Sequence, residues 1–592
     1  MTASNGCCRF SIARPRAVQS QSTRCPLQPL PIDPLLPQIA DVVRRERRLV
    51  LEAPPGAGKT TRVPPALLGA LANAGQSVLV LEPRRLAARL AARRVADERG
   101  ETLGGSVGYQ VRFDSALSPD TRLLYLTEGL FSRRLLEDRD LAGVGCVVLD
   151  EFHERHLHTD LALAWVWRLM QSARPDLQLV VMSATLESGP VAALLDRAPV
   201  LRAAGQRFEV AIEHLPESRK SLALQVRAAV ARSLRDGLDG DVLVFVPGAA
   251  EIRRCLEALT ELAAASGLEL HALHGDLPPA EQDAAIRPGA RRKIIVSTNV
   301  AESSITVANV AVVIDSGLAR IASHRPWSGL PALEVRPIAR AAVEQRTGRA
   351  GRTRAGRCLR LYGAADLATR PSHERPEIAR SDLSELALTV AQLVGRADDK
   401  ALSWLDAPPA PAWSSALDLL RRLSALDTTG ALTTTGRQLL RWPTHPRIGR
   451  LLLEAHRRGV FEPACAIAAL LGERDIVARR GLERRAAAAA VSGSDLIDRG
   501  ELLAVARGAR FAEGALERLG LDPAAVRTVE RARQQLLSLR PTGEPARASA
   551  DERERRLQQS TLAAFADRVA RRRPNTRTLV LASGGEALLA EE

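Results

Sequence analysis

Lysine is scarce in this 592-residue chain: Lys59, Lys220, Lys293 and Lys400 are the only four, leaving 79 of the 83 basic residues as arginine. So lopsided a balance, with abundant alanine, is the mark of a GC-rich genome, and a lysine kept in such a chain is one where a compact ammonium is needed. Aromatic residues make up 3%, too few for a row of base-stacking platforms. The seven cysteines (Cys7, Cys8, Cys25, Cys146, Cys255, Cys358 and Cys465) are odd in number and never stand in C-x-x-C spacing. That excludes a disulfide framework and suits a reduced, cytoplasmic protein. No apolar run reaches the roughly 18 residues that span a bilayer, and no signal-peptide core follows the start, so no membrane partner is expected.

What is present excludes other classes. With 46% hydrophobic and 26% charged residues the chain is neither collagenous, low-complexity nor a single small module, and its length implies about three to five domains. The net charge of +15 has two open readings, a polyanionic partner such as nucleic acid or the arginine bias itself. Residues 1–32 contain no acid and carry Arg9, Arg14, Arg16 and Arg24. They read as a disordered tail or an over-early start in preference to a transit peptide.

From about 35 to 365, short β-branched runs alternate with helical stretches, as strands buried in a parallel sheet are written. The runs are Leu49–Leu51, Val78–Leu81, Leu123–Leu126, Val147–Leu149 and Leu179–Met182, then Val242–Val246, Ile294–Val296, Val310–Ile314 and Leu359–Tyr362. Two doubly wound α/β domains in tandem follow, with a boundary near 200–210. Beyond 380 the periodicity is helical, as in Leu383–Leu393, Ala416–Leu426 and Ile448–His456, and the Thr428–Thr435 cluster predicts a turn or small hairpin.

Three segments carry chemistry. In Ala53-Pro-Pro-Gly56-Ala57-Gly58-Lys59-Thr60-Thr61, between a strand and a helix, a glycine loop would turn backbone N–H groups toward phosphates. Lys59 would reach the β/γ-phosphates of ATP and Thr60 would offer a hydroxyl to Mg²⁺. Asp150-Glu151-Phe152-His153-Glu154-Arg155 puts two acids at the carboxyl end of a buried strand, so Asp150 is assigned to Mg²⁺ and Glu151 to the attacking water. In Gln345-Arg346-Thr-Gly348-Arg349-Ala-Gly351-Arg352, Arg349 and Arg352 stand three apart on one helical face. They could act from the second domain as arginine fingers, with Gln345 holding the water.

This ordered set resembles the DEAH/DExH-box helicases of superfamily 2. Asp150-Glu-Phe-His153 is similar to their second motif with Phe152 in place of alanine, Ser183-Ala-Thr185 to the third, Ser297–Thr306 to the fifth and Gln345–Arg352 to the sixth. Leu30-Pro-Ile-Asp33 and Trp404-Leu-Asp-Ala-Pro-Pro409 point within it to the HrpB-type group of bacterial RNA helicases. The resemblance implies two RecA-like domains (30–203 and 204–368) after a tail (1–29), then a winged-helix-like domain (369–430) and a helical ratchet-like domain (431–540). Residues 541–592 would be an Arg-rich linker and the start of a shortened C-terminal region.

It also implies an ATP- and Mg²⁺-dependent motor on RNA, in which His153 links nucleotide state to the second domain. Arg84, Arg85 and Thr127 in the first domain, with Thr298 and Asn299 in the second, would hold the RNA backbone without regard to sequence. Arg84 and Arg85 have a competing reading as surface charges at a helix start. Residues 317–337 fall where the family has a β-hairpin, with Trp327 either a wedge at the duplex junction or plain packing. The alternatives are an RNA-binding remnant that cannot couple hydrolysis to movement, and a DNA helicase.

Overall fold

The computed structural model describes residues 29–589 except 72, 74, 113, 185–187, 206, 207, 217, 304–306, 326–329, 353, 474, 479–493, 542, 544–548 and 583. Thr185, Thr306, Trp327 and residues 1–28 of the expected tail lie outside the described residues.

The first sheet holds β1 (Arg48–Glu52), β2 (Ser77–Glu82), β3 (Val107–Val111), β4 (Asp114–Ala116), β5 (Leu123–Thr127), β6 (Val144–Leu149), β7 (Gln178–Ser183) and β8 (Val200–Arg202). Their order is β4-β3-β5-β2-β6-β7-β1-β8, parallel throughout except for the β3–β4 pair. Every residue of β6 and β7 is buried, because a central strand covered by helices on both faces needs apolar side chains on both. The second sheet holds β9 (Val210–His214), β10 (Asp241–Phe245), β11 (Glu269–Leu273), β12 (Lys293–Ser297), β13 (Val310–Asp315) and β16 (Gly356–Arg360), in the order β11-β12-β10-β13-β16-β9. It is wholly parallel. Between β13 and β16 an antiparallel hairpin pairs β14 (Leu318–Arg325) with β15 (Leu330–Pro337).

The first sheet ends at Arg202 and the second begins at Val210. Five strands of the two sheets escape the apolar-run reading: glycine and glutamine interrupt β3, and β4, β8, β9 and β11 are short or half-exposed, the last written Glu-Leu-His-Ala-Leu with one fully buried residue. Helices dominate after 380, including Ser384–Val394, Ala410–Arg422, Pro446–Arg457, Phe461–Gly472 and Pro523–Ser538. The expected helix Ala416–Leu426 stops four residues early, where Ser424 takes φ 56°. Thr433 then accepts a capping bond from the Gly436 N–H at 3.0 Å, and Leu426 bridges Leu432 in antiparallel fashion.

One core joins the first sheet to the C-terminal region: Phe131, Leu135, Leu163 and Trp165 pack with Leu386, Val390, Leu393 and Trp413. A separate core fills the later helices. Residues 541–592 depart from the expected linker. Ala550–Phe565 is a 16-residue helix within that second core, and Thr578–Leu581 is the middle strand of a small antiparallel sheet. The helix is anchored by Arg447, 2% exposed, whose Nη1 and Nη2 each donate to Asp567 at 2.6 Å. Arg447 also lies 5.3 Å from the Phe565 ring centroid.

Arg447→Ala leaves Asp567 only Arg568, at 3.3 Å, and removes its two shortest bonds; it is expected to destabilise this bundle by ~3 kcal/mol. Hydrogen exchange measured by mass spectrometry should then show Ala550–Phe565 opening roughly a hundredfold more often, and unchanged protection would remove the anchor role.

Candidate functional site

The loop after β1 is shaped by two glycines with positive φ, Gly56 at 85° and Gly58 at 97°. A Cβ on Gly58 would lie 2.7 Å from Leu30 Cδ1 and 3.1 Å from Ile32 Cγ2, so both backbone sign and space demand glycine there. Ala57 is buried, and its carbonyl accepts from the Ile32 N–H at 3.0 Å, which ties the Leu30–Asp33 segment to the loop. Lys59, Thr60 and Thr61 form the first turn of the helix Lys59–Leu68, whose N-terminal N–H groups are a ready anion site.

Lys59 Nζ donates to Glu151 Oε1 at 2.9 Å and lies 4.0 Å from Asp150 Oδ1. Thr60 Oγ1 donates to Asp150 Oδ2 at 2.5 Å, and the Glu151 N–H to Asp150 Oδ1 at 2.8 Å. The parallel register pairs Leu81 with Leu149, so Glu82 ends its strand beside Asp150, and all three acids are buried. The strand ends thus bring the Glu82 carboxyl into the acid cluster, two residues before Arg84.

Burial, with Asp150 and Glu151 adding to it, pushes Glu82 well above the usual glutamate value. Burial raises Asp150 to about 6 against the pull of Lys59. Burial acts the same way on Glu151, but Lys59 and then His153 outweigh it and hold that carboxyl below its ordinary value. A hydroxyl and carboxylates around one ammonium are hard oxygen donors of the kind a small divalent cation accepts once phosphates supply the rest. Among the described residues no cluster of three or more His, Cys, Asp or Glu side chains could hold a metal by itself.

Glu151 takes φ 48°, a left-handed turn that brings the following residues back over the strand ends. The His153 side chain is 9% exposed, and its Nδ1 accepts from the Ala184 N–H at 3.4 Å and stands 3.5 Å from Ser183 Oγ. Burial lowers its pKa against the opposing pull of Glu151 and Glu154. Its contact is with the third motif in its own domain.

The link to the second domain falls on Glu154, which sequence reasoning quoted without a role. Its Oε1 accepts from Ser303 Oγ at 2.5 Å and its Oε2 from Arg84 Nη2 at 2.9 Å. Arg84 also donates to the Asn299 carbonyl. Arg84 is therefore an interdomain contact, and its reading as a surface charge is wrong. Arg85, 42% exposed, donates to the Gly275 carbonyl at 3.0 Å and to Asp276 at 3.1 Å across the same boundary. Thr127 follows Leu126 at the end of β5, paired in register with Glu82. Thr298 precedes the short helix Asn299–Ala301 and donates its N–H to the Leu273 carbonyl at 3.2 Å.

The helix Arg340–Thr347 carries Gln345, and the turn after it carries Arg349 and Arg352. Arg346, fully buried, donates to Glu302 Oε2 and Asp315 Oδ1, both at 2.8 Å. Arg349, 2% exposed, donates to the Ser303 carbonyl at 2.5 Å and to that of Glu302. Burial lowers Arg349 well below the usual arginine value, helped by Arg352, and lowers Arg352 to about 10. Glu151 opposes both shifts: the two guanidiniums feel the first domain's carboxylate across the cleft.

The family model described as DEAD/DEAH box helicase matches residues 35–193, that of the helicase conserved C-terminal domain 226–354, and that of the ratchet-like helicase associated domain (HA2) 445–567. The chain is 37% identical over 447 residues to the ATP-dependent RNA helicase HrpB of Escherichia coli, covering 75% of this chain and 55% of that protein. The chain belongs to the DEAH/DExH helicases.

A second relative, the probable ATP-dependent RNA helicase DHR2 of Saccharomyces cerevisiae, is 35% identical over 74% of this chain and 61% of its own length. The crystal structure of the Escherichia coli DEAH/RHA helicase HrpB superimposes with a TM-score of 0.76 at 33% identity, over 95% of this chain and 66% of that one. The chain thus spans a little over half the length of these two curated relatives. The HA2 match reaches 567, and includes the helix Ala550–Phe565 that the expected boundary at 540 left out.

His156 ties the acidic turn together. Its Nδ1 lies 3.1 Å from Glu128 Oε2 and its Nε2 3.5 Å from Glu154 Oε2. Burial acts against its charge, but Glu128, Glu154 and Glu377 outweigh burial and raise it to about 9 from 6.5. The stability this cation contributes is fully present below about pH 6.5 and is lost as the pH rises through about 9. Wild type should lose ~1–2 kcal/mol over that window, and His156→Gln should not. Thermal melting of both proteins at each pH measures it; identical pH slopes would exclude His156 as the cause.

Proposed function

We propose that the chain is an ATP-dependent RNA helicase or translocase that couples Mg²⁺-ATP hydrolysis to movement on, or unwinding of, RNA. The observation that carries the reading is the facing of two charged sets, Lys59, Asp150 and Glu151 in one domain and Arg349 and Arg352 in the other, with Glu151 acting on both arginines.

On this reading the N–H groups at Gly56, Ala57, Gly58, Lys59, Thr60 and Thr61 bind the phosphates. Thr60 and Asp150 would hold Mg²⁺, which supplies charge neutralisation at the phosphate oxygens when bound. Glu151 takes the proton of the attacking water, held also by Gln345. The water oxygen bonds to the γ-phosphorus, the bond to the bridging oxygen breaks, and Arg349 and Arg352 neutralise the charge on the departing groups. His153 senses the same carboxylate. Lys59 has a second effect. While its ammonium sits on Glu151 it keeps that acid a weak base; a phosphate that draws the ammonium away lets burial raise the carboxyl toward a useful general base.

For RNA, the proposed contacts remain Arg84, Arg85, Thr127, Thr298 and Asn299, which cluster where β2, β5 and β12 end. RNA is favoured over DNA because the relatives are named as RNA helicases. We divide the chain into RecA-like domains (30–203 and 204–368), a winged-helix-like unit (369–430) and a ratchet-like unit continued to 567. We place it in the cytoplasm: the described cysteines are free and buried, as a reducing compartment requires, and no described helix is long and apolar enough to cross a membrane.

Lys59→Ala and Glu151→Gln should each lower RNA-stimulated ATP hydrolysis roughly 10²–10⁴-fold, with little change in circular dichroism. Full turnover by Glu151→Gln would remove it as the base. Duplex assays on RNA and DNA side by side separate the substrates, and hydrolysis with no RNA stimulation would instead favour a binding protein that cannot couple.

A further inference from the structure

A cavity of about 300 Å³ opens beside the phosphate loop, walled by Pro55, Phe208, Ile212, Gln345, Arg352 and Arg360. Arg360, the last residue of β16, is 6% exposed. Its Nη2 donates to Thr347 Oγ1 at 3.0 Å and its Nη1 to His214 Nε2 at 3.3 Å. His214 Nδ1 is 3.0 Å from the Tyr362 carbonyl, so Nδ1 carries the ring proton, Nε2 is the acceptor and the imidazole is neutral. Neither partner offers Arg360 a negative charge, and its buried Nε has no hydrogen-bond partner among the described residues.

The contrast within the same domain is direct. Arg346 is buried on Glu302 and Asp315, and Arg370 on Asp366, as a guanidinium removed from water requires. Arg360 is buried on a hydroxyl and a neutral ring. Among the described residues the one carboxylate in the cavity wall, Glu344, is solvent-exposed, so the described wall carries two guanidiniums against a single hydrated acid. Phe208 and Ile212, 38% and 50% exposed, add an apolar border, which strengthens the pull of those charges on an entering anion. The cavity shares Gln345 and Arg352 with the hydrolytic site and reaches the phosphate loop at Pro55.

We propose that this cavity is a product site, in which Arg360 and Arg352 receive the inorganic phosphate split from ATP before it escapes to solvent. It rests on the ATPase reading above. Arg360 does not touch the reacting atoms in this assignment, so cleavage itself should not depend on it.

The test uses the full chain as wild type, Arg360→Gln and Ile212→Glu. Inorganic phosphate is titrated into the ADP-loaded protein by phosphorus NMR and added as an inhibitor of steady-state hydrolysis. Both variants should weaken phosphate binding and inhibition about tenfold, while acid-quenched single turnovers stay at the wild-type rate. Ile212→Glu alters an exposed rim position and keeps the test valid if Arg360→Gln fails to fold. Phosphate binding unchanged in both variants would overturn the inference and leave the ATPase reading intact. Loss of RNA affinity in nucleotide-free protein, with phosphate binding unchanged, would overturn it by making the cavity a backbone contact. Wild type that binds phosphate through Arg360 yet cleaves no ATP would sink the ATPase reading, and the product assignment with it.

Discussion

Three buried carboxyls, Glu82, Asp150 and Glu151, share one ammonium, Lys59, at the carboxyl ends of neighbouring parallel strands. A parallel sheet forces this meeting, because every strand delivers its next residues to the same edge. Water is excluded there, so the acids cannot all ionise against a single cation. Burial and its two acidic neighbours push Glu82 well above the usual glutamate value, and Asp150 is raised to about 6. Any further positive charge is welcome, and Arg349 and Arg352 bring it from the opposing domain. On the proposed reading, a change of charge in the loop would change the Coulomb attraction between the two domains.

The turn from Asp150 to Leu157 carries that coupling outward. Glu154 holds Ser303 and Arg84; one residue on, Arg155 grips Asp160 at 2.9 Å and Asp406 at 2.6 Å. The Leu157 N–H donates to Glu377 at 2.9 Å. Eight residues therefore touch the nucleotide loop, the second domain and the C-terminal helices. The left-handed backbone at Glu151 and again at Arg155, φ 49°, lets so short a segment face three ways.

The central strands were legible because burial on both faces writes them as continuous Val/Ile/Leu runs, and the glycine loop because phosphate contact restricts its residue types. Edge strands such as β9 and β11 lack that double burial and so lack the signal. The site was legible as separate motifs, whereas their joints were not: nothing in the spacing of Glu154 and Ser303, or of Glu82 and Asp150, predicts contact, since sheet order decides it. Arg84 shows the limit most plainly, for an arginine beside a strand end looks the same whether its partner is a nucleic-acid phosphate or Glu154.

That ambiguity has mechanical content. Glu154 is acted on by burial, which would raise it, but Arg84, His156 and His153 outweigh burial and hold it down at about 2. It therefore remains a full negative charge between the two domains. A backbone phosphate arriving at Arg84 would compete for the same guanidinium, and the cost of leaving Glu154 short of one cation would fall on its remaining bonds, to Ser303 in the second domain and His156 in the first. Nucleic acid and domain contact would then draw on one charge, and a strand could alter the grip between domains without approaching the phosphate loop.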